Sequence, residues 1–155
     1  MGVNLNLTPE PVIVRWRETH YAYVERIGYI PDLAPEAHQS LHLYRQQVME
    51  HNEIHGSMAL YRADQGIYRA AFKLGGPPSH LPEGIAHGFL GDCKYWKFVL
   101  TGPYEQLPEA TTQASAIAAS KKLTFGAGFF IENYLTNPLM TPPEENVTEI
   151  LFPAA

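Results

Sequence analysis

The run Phe129-Phe130-Ile131-Glu132-Asn133-Tyr134-Leu135 sets a carboxylate between aromatic rings. In an extended chain alternate residues share a face, so Phe130, Glu132 and Tyr134 point one way and Phe129, Ile131 and Leu135 the other. The apolar side, Phe129, Ile131 and Leu135, is expected to pack under helices. A buried carboxylate is unfavourable by several kcal/mol unless something compensates it. A lipophilic cation would do so, since the Glu supplies charge and the rings supply cation–π contact of about 0.5–2 kcal/mol. In a water-poor groove the same carboxyl would have a raised pKa. It could then act as general acid or base while Tyr134 or Tyr95 donates a hydrogen bond. Alternation alone also suits an ordinary surface carboxylate on a solvent-facing strand.

Other candidates are weaker. His38 and His42, and again His51 and His55, are spaced i, i+4, which can bring two imidazoles to one metal. Neither pair has an obvious third ligand, and a histidine near a helix C-terminus is favoured by the dipole in any case. No metal site is therefore expected. Cys93 precedes Lys94, but no His and Asn/Asp partners for a thiol nucleophile can be read from the sequence. There is no phosphate loop, dinucleotide fingerprint or Gly-x-Ser-x-Gly motif, so no cofactor is expected.

The elements that must position Glu132 are announced by a repeated phrase. Residues 28–37 read Gly-Tyr-Ile-Pro-Asp-Leu-Ala-Pro-Glu-Ala and residues 102–110 read Gly-Pro-Tyr-Glu-Gln-Leu-Pro-Glu-Ala. Each follows an aromatic-rich strand pattern and opens a helical one. The repeat predicts two similar halves, about 10–75 and 84–153, related by a pseudo-two-fold with a ligand groove along the seam. In the first half, strands are expected over 12–16 and 20–27. A helix follows, with Pro35 at its first position and Ala37, Leu41, Tyr44 and Val48 as its apolar stripe, ending near 52–56. A hairpin over 57–62 and 67–74 completes it, with Tyr68, Ala70, Phe72 and Leu74 on the apolar face. The Pro/Gly-rich segment 75–82 reads as the linker. The second half repeats the order: strands 85–90 and 94–100, a helix from Pro108 and strands 129–135 and 147–152. The expected fold is thus one α+β domain over 1–155, with a mostly antiparallel sheet and two helices on one face.

Strand parity extends the groove. Superposing Gly28 on Gly102 puts Tyr21 opposite Tyr95 and Tyr23 opposite Lys97. With Phe130, Glu132 and Tyr134 facing the groove, Tyr21, Tyr23 and Tyr95 become its expected other walls. Cross-strand packing is the alternative role for them. Trp96 and Phe98, of opposite parity, are expected beneath a helix.

Composition excludes several classes. An apolar content of 45% against 17% charged residues excludes a disordered chain. The net charge of −5 and the lack of any Lys/Arg run argue against nucleic-acid or anionic-membrane partners. No apolar run reaches the ~18 residues of a membrane span. The start, Met-Gly-Val-Asn-Leu-Asn-Leu, lacks signal-peptide character, and one cysteine allows no internal disulfide, so a cytoplasmic location is expected.

The stretch Phe130-Ile131-Glu132-Asn133-Tyr134-Leu135-Thr136-Asn137-Pro138, with Thr141-Pro142-Pro143-Glu144-Glu145, Thr148-Glu149-Ile150 and Phe152-Pro153, resembles the C-terminal signature of GyrI-like small-molecule-binding domains. Residues 95–104, ending Thr101-Gly102-Pro103-Tyr104, resemble the family's second-half strand and turn, and residues 21–29 its first-half counterpart. These domains are also called bacterial effector-binding domains, and they occur fused to AraC-type and MerR-type regulators or alone. The few residues before the first expected strand leave no room for a helix-turn-helix, so a stand-alone member is expected. The resemblance implies an aromatic-lined groove in which a strand glutamate, here Glu132, contacts cationic aromatic ligands. It also implies two alternatives. One is a hydrolase that opens strained cyclopropane rings of alkylating natural products. The other is a protein partner such as gyrase or a separate regulator. The sequence departs from the family in its first turn, Gly28-Tyr29-Ile30-Pro31, and in lacking the helix Trp that many members have.

Overall fold

The computed structural model describes residues 5–155, so the reading of the N-terminal start at residues 1–4 lies outside the described residues. Eight strands form one antiparallel sheet: β1 (Val12–Trp16), β2 (Thr19–Ile27), β3 (Ile54–Arg62), β4 (Ile67–Leu74), β5 (Ala86–Leu90), β6 (Cys93–Thr101), β7 (Phe130–Tyr134) and β8 (Val147–Pro153). Their order across the sheet is β1-β6-β8-β7-β3-β4-β2-β5. Helix α1 (Ile30–Leu43) and the short α2 (Arg45–Met49) lie between β2 and β3, and α3 (Leu107–Ser120) lies between β6 and β7. The strand-strand-helix-strand-strand order therefore occurs twice, and β7 pairs with β3 where the two runs meet. The two edge strands cross over: β1 pairs with β6 of the second run, and β5 with β2 of the first.

The repeated phrases sit at corresponding turns. Gly28 ends β2 with φ +148°, and Gly102 ends β6 with φ +157°, a region that favours glycine. The Gly28 amide donates to the Gly66 carbonyl in the β3–β4 turn at 2.9 Å, and the Gly102 amide donates to the Asn146 carbonyl before β8 at 2.8 Å.

Both helices cover the same face. The core beneath α1 takes Ala22 and Val24 from β2, Ala59 from β3, Tyr68, Ala70, Phe72 and Leu74 from β4, and Tyr134 from β7. The core beneath α3 takes Phe98 and Leu100, Ile150 and Phe152, and again Tyr134, with Phe130. The opposite face buries Tyr21, Met58, Leu60, Ala71, Tyr95, Ile131 and Leu151 in a third cluster, flanked by Val14, Trp16, Tyr23, Leu90 and Phe129. Trp96 and Phe98 lie beneath a helix as expected. The Phe129/Ile131 side of β7 does not; the helices pack on the Glu132 side instead.

The first helix also differs from its sequence reading. It starts at Ile30 with Pro31 in its first turn, one turn before Pro35, which lies inside the helix. Pro31 fits there because the first-turn N–H groups have no intrahelical partner anyway. The stripe Ala37, Leu41 and Val48 is buried, but the helical path breaks at Tyr44 and ends at Met49. Helix α3 buries a row of small residues, Ala110, Ala114 and Ala118, after Leu107.

Gly88 shows how closely the edge strand β5 packs. It pairs with Tyr21, and a Cβ at position 88 would stand 2.2 Å from the Tyr21 ring. Gly88→Ala is expected to destabilise the fold by about 1–3 kcal/mol, the range for overpacking a fitted core. Gly91→Ala, where a Cβ meets nothing within 4 Å, is expected to leave stability unchanged. Urea unfolding of the two variants checks this.

Candidate functional site

Glu132 projects from β7 into the space between the two helices. Its strand neighbours on that face are Ala59 of β3 and Ile150 of β8, both fully buried. Alanine at 59 leaves room beside the carboxylate. Rings supply the rest of the surroundings. Tyr61 stands against Phe130 with centroids 5.8 Å apart, and Tyr104 against Tyr134 at 5.4 Å. From α1, His38 meets Tyr134 edge-on at 5.5 Å and Tyr68 at 5.8 Å. Glu132 and Tyr134 are both half-buried.

A chain of hydrogen bonds runs through this cage. The Tyr134 hydroxyl donates to Glu132 Oε1 at 2.9 Å. His38 Nε2 lies 2.8 Å from the Tyr68 hydroxyl and 3.4 Å from that of Tyr134. Neutral imidazole offers Nε2 as donor or acceptor, so protons can be ordered in either direction along the chain. Among the described residues Tyr134 is the single donor to Glu132, which leaves the second carboxylate oxygen unspent.

Burial raises the Glu132 pKa, and the hydrogen bond from Tyr134 offsets only part of the rise. Burial, with the Glu132 charge adding to it, holds the phenols of Tyr61, Tyr68 and Tyr134 well above their usual range, so they stay protonated donors. His38 is pushed down to about 4 by burial, with His42 adding repulsion, and so is neutral at physiological pH. The result is a carboxyl among neutral groups with, among the described residues, no fixed cation beside it.

The structure brings Phe130, Glu132 and Tyr134 together. It does not bring Tyr21, Tyr23 and Tyr95 to them. Those three lie on the other face of the sheet, because their neighbours Ala22, Val24 and Trp96 occupy the helix-covered side. There the Tyr21 hydroxyl accepts from Arg69 at 2.8 Å, and Tyr23 stacks under the same guanidinium at 4.3 Å. Burial raises the Tyr95 pKa. The walls that sequence reasoning missed are His38, Tyr61, Tyr68 and Tyr104. Tyr68 already stood on the apolar face of its strand, and His38 follows Ala37 on the buried stripe; both signals were available. The i, i+4 histidines do not act as pairs. His42 rests edge-on against Phe72, His51 against His80, and His55 bonds Glu53 at 2.9 Å.

The two titrations have opposite signs. For Glu132, whose pKa is raised on folding, stability is fully present below its ordinary value of 4.5 and is lost as pH climbs through the raised folded value. For His38, lowered from 6.5 to about 4, stability is present above 6.5 and is lost as pH falls through 4. Glu132→Gln keeps an acceptor for Tyr134 and removes the first loss. The variant is expected to melt a few degrees higher at pH 7, where about 1 kcal/mol corresponds to roughly 2–4 °C. Its stability should still fall below pH 6.5. Thermal unfolding from pH 4 to 8 measures both.

Solved structures share this architecture. EcmrR in its DNA complex superposes with a TM-score of 0.73 at 14% identity, covering 93% of this chain and 56% of that one. The chain thus spans about half the length of that EcmrR chain, and it matches the EcmrR C-terminal domain with a TM-score of 0.71 at 16% identity, covering 93% and 96%. SAV2435 bound to tetraphenylphosphonium gives 0.71 at 15% identity, covering 94% of each chain. A hydrolase from Listeria innocua gives 0.56 at 14% identity, covering 95% and 92%. At these identities the likeness is one of fold. No curated protein sequence matches the chain. The family model described as GyrI-like small molecule binding domain matches residues 9–155, nearly the whole sequence, and the chain belongs to that family of small-molecule-binding domains.

Proposed function

We propose that the domain binds a lipophilic, cationic aromatic small molecule, with Glu132 as its charge partner. The observation that carries this is the half-buried carboxylate among rings, which among the described residues has one phenol donor and no basic side chain on it. A cation arriving there meets a charge that the fold leaves uncompensated and gains the faces of Tyr61, Tyr68, Phe130 and Tyr134. Hollows lined by His51 and His80 and by Leu43 and Met49 do not include Glu132. In this reading the ligand displaces rings as it enters, and α1, which carries His38, is the covering piece. That SAV2435 has been seen with tetraphenylphosphonium supports the choice of ligand class.

Titration with tetraphenylphosphonium or a rhodamine-type dye, followed by fluorescence, tests the reading. Wild type is expected to bind. Glu132→Gln should bind at least tenfold more weakly, a loss of about 1.4 kcal/mol or more. Tyr23→Phe, on the other face, should bind as wild type does. Equal binding by Glu132→Gln would remove the proposal.

The hydrogen-bonded chain from Glu132 through Tyr134 to His38 and Tyr68 favours a second reading, as a hydrolase of strained rings. Glu132 would take a proton from water as its oxygen attacks a ring carbon. The ring bond would break, and the phenol–imidazole chain would return a proton to the leaving carbon. Incubation with a cyclopropane-bearing alkylator, read by mass spectrometry, should give a product heavier by one water that Glu132→Ala abolishes. Unchanged substrate leaves binding alone.

A further inference from the structure

We propose that His20 and His87 form a two-imidazole site for a divalent transition-metal ion, of the Cu²⁺ and Zn²⁺ class, on the β2–β5 edge of the sheet. The residues are 67 positions apart, and the fold sets His20 Nδ1 and His87 Nε2 2.9 Å from one another. Register makes them a diagonal cross-strand pair: His20 faces Phe89, and His87 faces Ala22. Their rings stack with centroids 5.1 Å apart and planes 23° from parallel. Phe89 packs on His20 at 4.8 Å, which restricts the His20 ring.

At this separation one nitrogen donates its N–H to the lone pair of the other, with roles set by the tautomers. A metal ion bound by both would take the place of that shared proton. Nitrogens bound about 2.0–2.1 Å from one ion, at angles between square and tetrahedral, lie roughly 2.9–3.4 Å apart. The pair already has that separation. His87 is exposed and His20 partly so, which leaves the remaining positions to water. Among the described residues no cluster of three His, Cys, Asp or Glu side chains is assembled, so the site is a two-ligand one. Imidazole ligands select Cu²⁺, Ni²⁺ and Zn²⁺ over Mg²⁺ and Ca²⁺, with Cu²⁺ held most tightly. The site shares no residue with the Glu132 cage and stands without the ligand proposal. Because β5 pairs with β2 alone, an ion here would also fasten an edge strand to the sheet.

Copper titration of the whole chain, followed by electron paramagnetic resonance, tests the proposal. The first equivalent of Cu²⁺ should show hyperfine coupling to imidazole nitrogen. His20→Ala and His87→Ala should each weaken it at least tenfold, whereas the double variant His51→Ala/His80→Ala should not. In NMR spectra the Phe89 ring signals should be the first that copper broadens, a readout that needs no variant. Zn²⁺ should raise the unfolding temperature of wild type and leave that of His87→Ala unchanged. Copper affinity that survives both single substitutions, or that is lost with His51 and His80, overturns the assignment.

Discussion

The structure turns on one constraint: a carboxylate placed among rings with a single neutral donor. Glu132 is half-buried, and among the described residues no lysine or arginine pairs with it. The surroundings are arranged to make that tolerable without neutralising it. Tyr134, two residues along the same strand, supplies a phenol that burial keeps protonated, while Ala59 leaves space beside the carboxylate. The small residues of α3 allow that helix to lie close to its strands. His38 stays neutral because it is buried, so α1 adds an imidazole and no charge. A protonated His38 would supply the counter-charge itself and leave little attraction for a cation from outside.

Strand parity carries most of the rest. The sheet divides into a helix-covered side that holds Glu132 and its rings and an opposite side that holds Tyr21, Tyr95 and their apolar neighbours. Alternation within β7 gave the correct grouping of Phe130, Glu132 and Tyr134. It could not say which grouping lay under the helices, because period-two alternation is blind to the sign of a face. The tyrosines of β2 and β6 were placed with Glu132 on aromatic type, whereas their own strand neighbours decide the matter. Ala22, Val24, Trp96 and Phe98 are the residues that fit beneath helices, and their burial sends Tyr21, Tyr23 and Tyr95 to the other side.

What the chain spells out locally was legible, and what depends on distant pairing was not. The strands, the hairpin around Gly66 and the two glycine-led turns follow from short-range chemistry, and each lies within a few residues of its expected place. The start of α1 was missed because Pro31 and Pro35 both qualify as first-turn prolines, and only packing of Ile30 and Leu33 on the core selects the earlier one. The crossing of β1 to β6 and β5 to β2 leaves no local signature, since it joins segments about 80 and 70 residues apart. The contact between His20 and His87 depends on the second of those pairings and is invisible without it.

The sheet also contains its own control for Glu132. Glu149, on the neighbouring strand but the opposite face, is a carboxylate of similar depth that serves structure. It accepts from Asn133 Nδ2 at 2.8 Å and pairs with Lys97 at 3.2 Å, and Lys73 donates to the other end of Asn133 at 2.6 Å. One lysine and an amide thus satisfy the acid, a second lysine holds the amide, and the chain Lys73–Asn133–Glu149–Lys97 ties β4, β7, β8 and β6 together across the junction between β3 and β7. The fold therefore has the means to neutralise a carboxylate where stability is the purpose. On the other face of the same strands the described residues supply Glu132 with a phenol and nothing positive. Replacing a buried acid with an apolar residue is often neutral or stabilising. An acid kept unpaired at this position is what the proposed cationic ligand would neutralise.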